Sequence, residues 1–546
     1  MAAALLVVAG CGGGEADNGL SVDPGGGSNV GFGGAQDIGQ FRDILDSGGI
    51  PAASTLDANG FFSEHYAELP PPDCGDPICL QAMFAVSRDW VRWEHQATLQ
   101  LAMNTVLGPD DVEEKPLDIV VVVDTSGSMT HDGRIGKVRD GLHLLVDELG
   151  PDDRLGIVRY SDDAEQLAPL AAVDETTHDI VDGLGASGYT HLSAGMQLGF
   201  QTLQEGGVDP SRQARVILMS DGLANVGVTG DEELFAMAEG YIRDGIGLTT
   251  IGVGTDFNTE LMRGLAERGS GNFYFLEDAA AVSEVFLEEL SFFSVPIAHD
   301  IDIRVDGTET YRVGEVSGTH FWQSNGDSGA VQIPSVFVAS RKSDEPGEYG
   351  RRGGGSALFI DLEPLFEGAE PSTAAVVTFS YRLPDGEEIT RTITVDNPHA
   401  PGVIPEDDYY SKEFMREHYG MYNMYLGLRD ASTAAEDNYQ CAWAILDQLE
   451  SGAGDWNAVM EDPDIEADLQ LVAQFKANLV AGGATSLDKG YKFSEACGGF
   501  PGGPVNLGDD VEYGPYYGCS AGSTGGSGWP LLLVGLALVV VRRRRR

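Results

Sequence analysis

The sequence predicts an α/β protein built on a doubly wound, mostly parallel sheet. An N-terminal α+β region, a C-terminal β-sandwich and a helical segment flank that sheet. Three observations predict this. Strand-like and helix-like periods alternate from Leu117 to residue 292, the pattern of strands joined by crossover helices. The run DIVVVVD at 118–124 is apolar on both faces, which suits a central strand covered on both sides. After Pro296 the helical period stops, and strand-like runs broken by turn residues replace it.

A chain of 546 residues exceeds one domain. Residues 1–11, MAAALLVVAGC, are a short apolar run ending in Cys11, and 12–37 are a Gly-, Asp- and Asn-rich flexible linker. The region 38–116 opens with a short helix (Phe41, Ile44, Leu45) and a Gly-Gly-Ile-Pro stop. The loop CGDPIC follows, then strand-like alternation. In 117–292, Ile135, Val138, Leu142, Leu145 and Leu149 follow the first strand at helical spacing. DRLGIVRYS, ARVILMSDG, GLTTIGVG and GNFYFL read as further strands. THLSAGMQLGFQTL, DEELFAMAEGYIRD, TELMRGLAERG and AAAVSEVFLEEL read as helices. The region 297–397 carries IDIRV, ALFIDLEP, AVVTFSYRL and EITRTITV, the last two joined at a Pro384-Asp385-Gly386 turn. Three helices fill 405–497, with Met421, Met424 and Tyr425 as core. A second linker, 498–528, precedes the apolar segment with an arginine cluster at 529–546.

Lys and Arg total 33 against 86 Asp and Glu, for a net charge of −53. Such a surface repels phosphate backbones and argues against a nucleic-acid partner. Of six cysteines, Cys11 and Cys519 lie in the terminal segments. Cys74, Cys79, Cys441 and Cys497 remain as disulfide candidates, with connectivity open. Neither close pair has C-x-x-C spacing, which argues against structural zinc.

Ligands of doubly wound sheets gather at the carboxyl ends of the strands. Asp124 and Asp221 each stand at such an end; Ser126 and Ser128 follow Asp124, and Thr190 arrives on a third loop in SGYTHLSAG. All five are hard oxygen donors. They suit Mg²⁺, with Mn²⁺ or Ca²⁺ as alternatives, rather than zinc or copper. An aspartyl-phosphate-type phosphatase also begins with a strand and an Asp, but Ser126 stands where it needs a second acid. No P-loop is present, and GCSAG at 518–522 lacks the strand and helix of a nucleophile elbow. EDPDIEAD at 461–468 has Ala467 where a calcium loop requires glycine, and reads as a helix start. His131 and His191 read as loop-surface residues.

The spacing Asp124-x-Ser126-x-Ser128, then Thr190, then Asp221 before Gly222 resembles the metal-ion-dependent adhesion site (MIDAS) of the von Willebrand factor type A domain. The resemblance implies that the hydroxyls bind a divalent cation directly or through water. It places the aspartates in or just behind that shell, and leaves one coordination position to a partner's Asp or Glu. Residues 40–116 look like the flanking region of bacterial type A lipoproteins. MAAALLVVAGC resembles a lipoprotein signal with Cys11 as the lipidated residue. The tail with Cys519 and Arg542–Arg546 resembles a myxobacterial (MYXO-CTERM) sorting signal. Together these imply a non-enzymatic protein of the cell envelope or surface, membrane-anchored through its termini. It would mediate cation-dependent protein binding or adhesion, with a metal-independent scaffold as the alternative.

Overall fold

The computed structural model describes residues 28–497 apart from 67–68, 93, 108–114, 222–223, 243–244, 255–256, 277–295, 340–353, 406 and 487–492. Both terminal segments and the helix expected at AAAVSEVFLEEL lie outside the described residues.

Strands β1 (Ser28–Phe32) and β2 (Gly34–Ala35) precede helices α1 (Gly39–Asp46) and α2 (Ala58–Ser63) and the antiparallel pair β3 (Ile78–Arg88) and β4 (His95–Thr105). The α/β domain then runs β5 (Leu117–Asp124), α3 (Arg134–Glu148), β6 (Arg154–Tyr160), β7 (Ala164–Ala171), α4 (Glu175–Asp182), α5 (Leu192–Gly206) and β8 (Gln213–Ser220). It continues through α6 (Asp231–Ile242), β9 (Ile246–Val253), α7 (Thr259–Arg268) and β10 (Asn272–Leu276). Its sheet has the order β2-β10-β9-β8-β5-β6-β7, parallel except for β7.

Alternation along β5 explains its place. Val120 and Val122 join Met196 and Phe200 of α5, Leu234 of α6 and Leu261 of α7 in one apolar layer. Ile119, Val121 and Val123 join Val138, Leu142 and Leu145 of α3 in the other. Both faces are therefore buried, as a central parallel strand requires. Helix α5 lies so close to the sheet that a Cβ on Gly199 would stand 2.3 Å from Val122. The sequence reading omitted β7 and α4. Strand β7 is a half-exposed edge carrying Pro169, which an edge tolerates because the N–H that proline lacks is not needed there.

The second sheet contains β11 (Ala298–Asp306), β12 (Tyr311–Ser317), β13 (Gln323–Asn325), β14 (Ser328–Val338), β15 (Ala357–Pro364), β16 (Ser372–Arg382), β17 (Glu388–Asn397) and β18 (Tyr409–Tyr410). Its path β12-β15-β4-β1-β14-β11-β16-β17 corrects the expectation of a sandwich contained in 297–397. Strands β1, β3 and β4, assigned from sequence to the linker and the N-terminal region, belong to the same sheet. Its strands share one core, in which Phe84 of β3 meets Tyr311 of β12 and the Tyr381 hydroxyl of β16 reaches Ile78. The α/β domain, apart from its edge strand β2, is thus inserted between β4 and β11.

Helices α8 (Met415–Ala435), α9 (Tyr439–Met460) and α10 (Pro463–Ala481) likewise share a core with α1 and α2. Phe41 packs on Phe475, and the Asn478 amide donates to Leu45 O and Gly49 O at 2.8 and 2.9 Å. Disulfides join Cys74 to Cys79 and Cys441 to Cys497. Asp462 caps α10, so the acidic run at 461–468 is a helix start. Among the described residues no helix is long and apolar enough to cross a membrane.

Candidate functional site

The loop after β5 begins with Asp124, fully buried under the carboxyl edge of the sheet. Its Oδ1 accepts the Ser126 amide at 2.8 Å, and its Oδ2 accepts the Ser220 hydroxyl at 2.8 Å and the Tyr160 hydroxyl at 3.2 Å. Three donors from three neighbouring strand ends therefore hold one carboxylate. Burial pushes the Asp124 carboxyl above the usual range and the Asp221 charge adds to that, while the Ser126 and Ser220 hydrogen bonds oppose it.

From Asp124 the chain turns outward. Ser126 Oγ lies 3.0 Å from Ser128 Oγ, and Ser128 Oγ donates to Asp221 Oδ1 at 2.9 Å. The other Asp221 oxygen pairs with Arg134, the first residue of α3, at 3.0 Å. The third loop is tied to the first: Gly127 N donates to Gly188 O at 3.0 Å, and Ser187 N to Thr125 O at 2.7 Å. Thr190 is buried on that loop, its N–H donating to Asn225 Oδ1 at 2.9 Å. Three loops thus bring all five expected residues to one end of the sheet. His191 lies beside them, its Nδ1 3.2 Å from Asp162 O, and His131 is exposed.

The donor chemistry fits a small hard dication. Two oxygens adjacent on an octahedral Mg²⁺ at about 2.0–2.1 Å stand about 2.9 Å apart. The Ser126–Ser128 and Ser128–Asp221 separations of 3.0 and 2.9 Å match that spacing, which hydrogen bonds maintain here. Among the described residues no three His, Cys, Asp or Glu side chains group as a metal site, and at this cluster the serine and threonine hydroxyls outnumber the two carboxylates.

Sequence reasoning missed Arg134, Tyr160, Ser220 and Asn225. Arg134 left one signal: a cation opening a helix, where the macrodipole disfavours positive charge. Tyr160 and Ser220 end apolar strands and carried no signal of their own.

The model of the von Willebrand factor type A domain matches residues 118–288. Residues 118–288 are a von Willebrand factor type A domain. The chain is 27% identical over 302 residues to protein YfbK of Escherichia coli K12, covering 53% of this chain and 48% of YfbK. It is 23% identical over 290 residues to inter-alpha-trypsin inhibitor heavy chain H3 of Bos taurus, covering 50% of this chain and 31% of that protein. The chain therefore spans about half or less of these relatives' length. A solved von Willebrand factor type A structure from Catenulispora acidiphila aligns with 72% of this chain and 89% of its own, at 15% identity and a TM-score of 0.45. The matches to YfbK and heavy chain H3 are longer than the type A domain itself.

Proposed function

We propose that the type A domain binds a divalent cation, Mg²⁺ above all, at Asp124, Ser126, Ser128, Thr190 and Asp221, as a MIDAS. Through that ion it would bind a protein partner's Asp or Glu. The observation that carries this reading is the Ser126–Ser128–Asp221 oxygen chain, spaced at 3.0 and 2.9 Å over the anchored Asp124 carboxylate. When bound, the ion supplies a positive charge that a carboxylate can meet. The chain's own residues hold and orient it: Tyr160 and Ser220 fix Asp124, and the Gly127–Gly188 and Ser187–Thr125 bonds register the loops. Tyr189 is 66% exposed beside Thr190 and offers a rigid aromatic contact at the rim. The protein is a non-enzymatic binding or adhesion protein of the cell envelope or surface, anchored through Cys11, the Cys519-containing sorting signal, or both.

One observation favours a second reading. Arg134 already supplies a cation to Asp221, which suits a scaffold that works without metal. Calorimetry with Mg²⁺ and Mn²⁺ on the wild type and on Asp124→Ala separates the two. Binding heat in the wild type that disappears in the variant supports the metal site. Equal heats, or none in either protein, would sink it and leave the scaffold. Crosslinking capture from envelope fractions, with and without EDTA, then tests the partner; a partner held equally well in EDTA speaks against a metal-bridged contact.

A further inference from the structure

On the outer side of the same domain, α3 and α4 place two histidines face to face. His143 Nδ1 and His178 Nδ1 lie 2.7 Å apart, with ring planes within 16°. Each ring has an acid at its other nitrogen: Asp182 Oδ1 is 3.0 Å from His143 Nε2, and Asp147 Oδ1 is 3.4 Å from His178 Nε2. A carboxylate accepts a hydrogen bond and does not donate one, so His143 Nε2 carries its proton toward Asp182 and leaves a lone pair on Nδ1. With the His178 proton on Nε2, on the side of Asp147, both Nδ1 atoms present lone pairs; with it on Nδ1, that proton is shared with His143. Two lone pairs do not face each other at 2.7 Å without a positive centre between them. That centre is either one shared proton or a metal ion.

We propose that His143 and His178 form a second metal site, selective for an imidazole-preferring dication such as Zn²⁺. Four features support the ion. Imidazole suits zinc, copper and nickel, whereas the hydroxyl-rich cluster suits magnesium. Carboxylates on the distal nitrogens are the outer partners that metal-bound histidines ordinarily have, fixing the tautomer and raising ligand basicity. Both rings are partly exposed, 29% and 39%, so water can complete the shell. The surroundings are acidic, with Asp140, Asp147 and Glu148 on α3 and Glu175, Asp179 and Asp182 on α4. The bases nearby in sequence are Lys137 and Arg139; Arg139 donates to the Asp182 backbone carbonyl at 3.5 Å. Two Zn–N bonds of about 2.0–2.1 Å at a tetrahedral angle hold their nitrogens about 3.3 Å apart. The rings must therefore separate by about 0.6 Å, which a small rotation of two partly exposed side chains allows. His143 is nine residues beyond Arg134, about 13 Å along the helix axis at 1.5 Å per residue. The site is distinct from the oxygen cluster, and its existence does not depend on the function proposed for that cluster.

The test is Zn²⁺ calorimetry on the full chain in excess Mg²⁺, comparing wild type, His143→Gln, His178→Gln and Asp182→Asn. The expected result is one Zn²⁺ bound by the wild type, at least tenfold weaker in each histidine variant and about tenfold weaker in Asp182→Asn. Cu²⁺ as a probe should show imidazole nitrogen couplings in its paramagnetic resonance spectrum that each histidine variant loses. Unchanged circular dichroism without metal would confirm that these exposed changes leave the fold intact. Equal Zn²⁺ binding in wild type and histidine variants places the ion elsewhere and overturns the proposal. Absence of Zn²⁺ binding by the wild type reduces the pair to a shared proton and also overturns it.

Discussion

Replacing Arg134 by Met tests whether its guanidinium stands in for a cation. Side chains of Arg134 and Asp221 are 5% and 2% exposed, so the change leaves a buried carboxylate uncompensated while an unbranched apolar chain occupies much of the space. Breaking a buried pair in this way costs about 3–5 kcal/mol. Removing a cation from a helix N-terminus returns about 0.3–1 kcal/mol. The net loss in EDTA is therefore about 2–4 kcal/mol. Mg²⁺ at a hundred times its dissociation constant returns about 2.7 kcal/mol to a protein that binds it only when folded. Recovery should exceed the wild type's own gain, because Asp221 in the variant has no competing guanidinium. Hydrogen exchange of β5 and β8 amides reports this domain's opening separately from the rest of the chain. Equal losses in EDTA and in Mg²⁺ would show that Arg134 and the ion do not share Asp221. No loss in EDTA would show that the buried pair contributes nothing.

Other outcomes follow from single contacts. Burial pushes Glu267 up to about 7, where it sits with Asp57, Arg263, His320 and Thr319. A carboxyl with a raised folded value stabilises fully below its unfolded value near 4.5 and loses that contribution as pH rises through 7, about 3 kcal/mol in all. Glu267→Gln should therefore gain stability over wild type at pH 8 and little at pH 4, read by urea titration at both values. Ser220→Ala removes one of the hydroxyls holding Asp124 and should cost about 1–3 kcal/mol; Mg²⁺ calorimetry should also show weaker binding, and unchanged affinity would separate Asp124 orientation from metal binding. Cys441→Ala with Cys497→Ala opens a crosslink spanning 56 residues and should cost about 4 kcal/mol in chain entropy. The helical core's exchange protection measures that loss, and an unaffected core would assign its stability to packing alone.

The α/β domain was legible because β5 is apolar on both faces and because each helix has a regular apolar stripe. The five oxygen residues were legible because they fall at strand ends and helix entries, positions that pattern locates well. Strand β7 was missed because its sequence AEQLAPLA is half exposed, contains proline and alternates weakly. The shared sheet was missed for a different reason. Pairing of β4 with β15, or β1 with β14, joins residues hundreds of positions apart, and local periodicity holds no information about which distant edge a strand meets. Arg134 and Tyr160 act on the site through tertiary contacts; Arg134 leaves only the signal of a cation opening a helix, and Tyr160 leaves none.

Charge links the site to the chain that carries it. A net charge of −53 opposes the approach of an acidic partner at long range. Within a Debye length of about 8 Å at physiological salt, the local arrangement decides instead. There Asp221 is shared with Arg134, Asp124 is held by hydroxyl and amide donors, and the oxygens next to them are the hydroxyls of buried Ser126 and half-buried Ser128. Hydroxyl ligands donate little charge, so a dication seated among them stays electrophilic on its open side. On the proposed reading, the same features that make the cluster a poor trap for metal, a carboxylate already paired and hydroxyls in front, make the bound ion a strong receptor for one more carboxylate. An acidic exterior and an acid-seeking site are then compatible, because repulsion acts on encounter and the ion acts at contact.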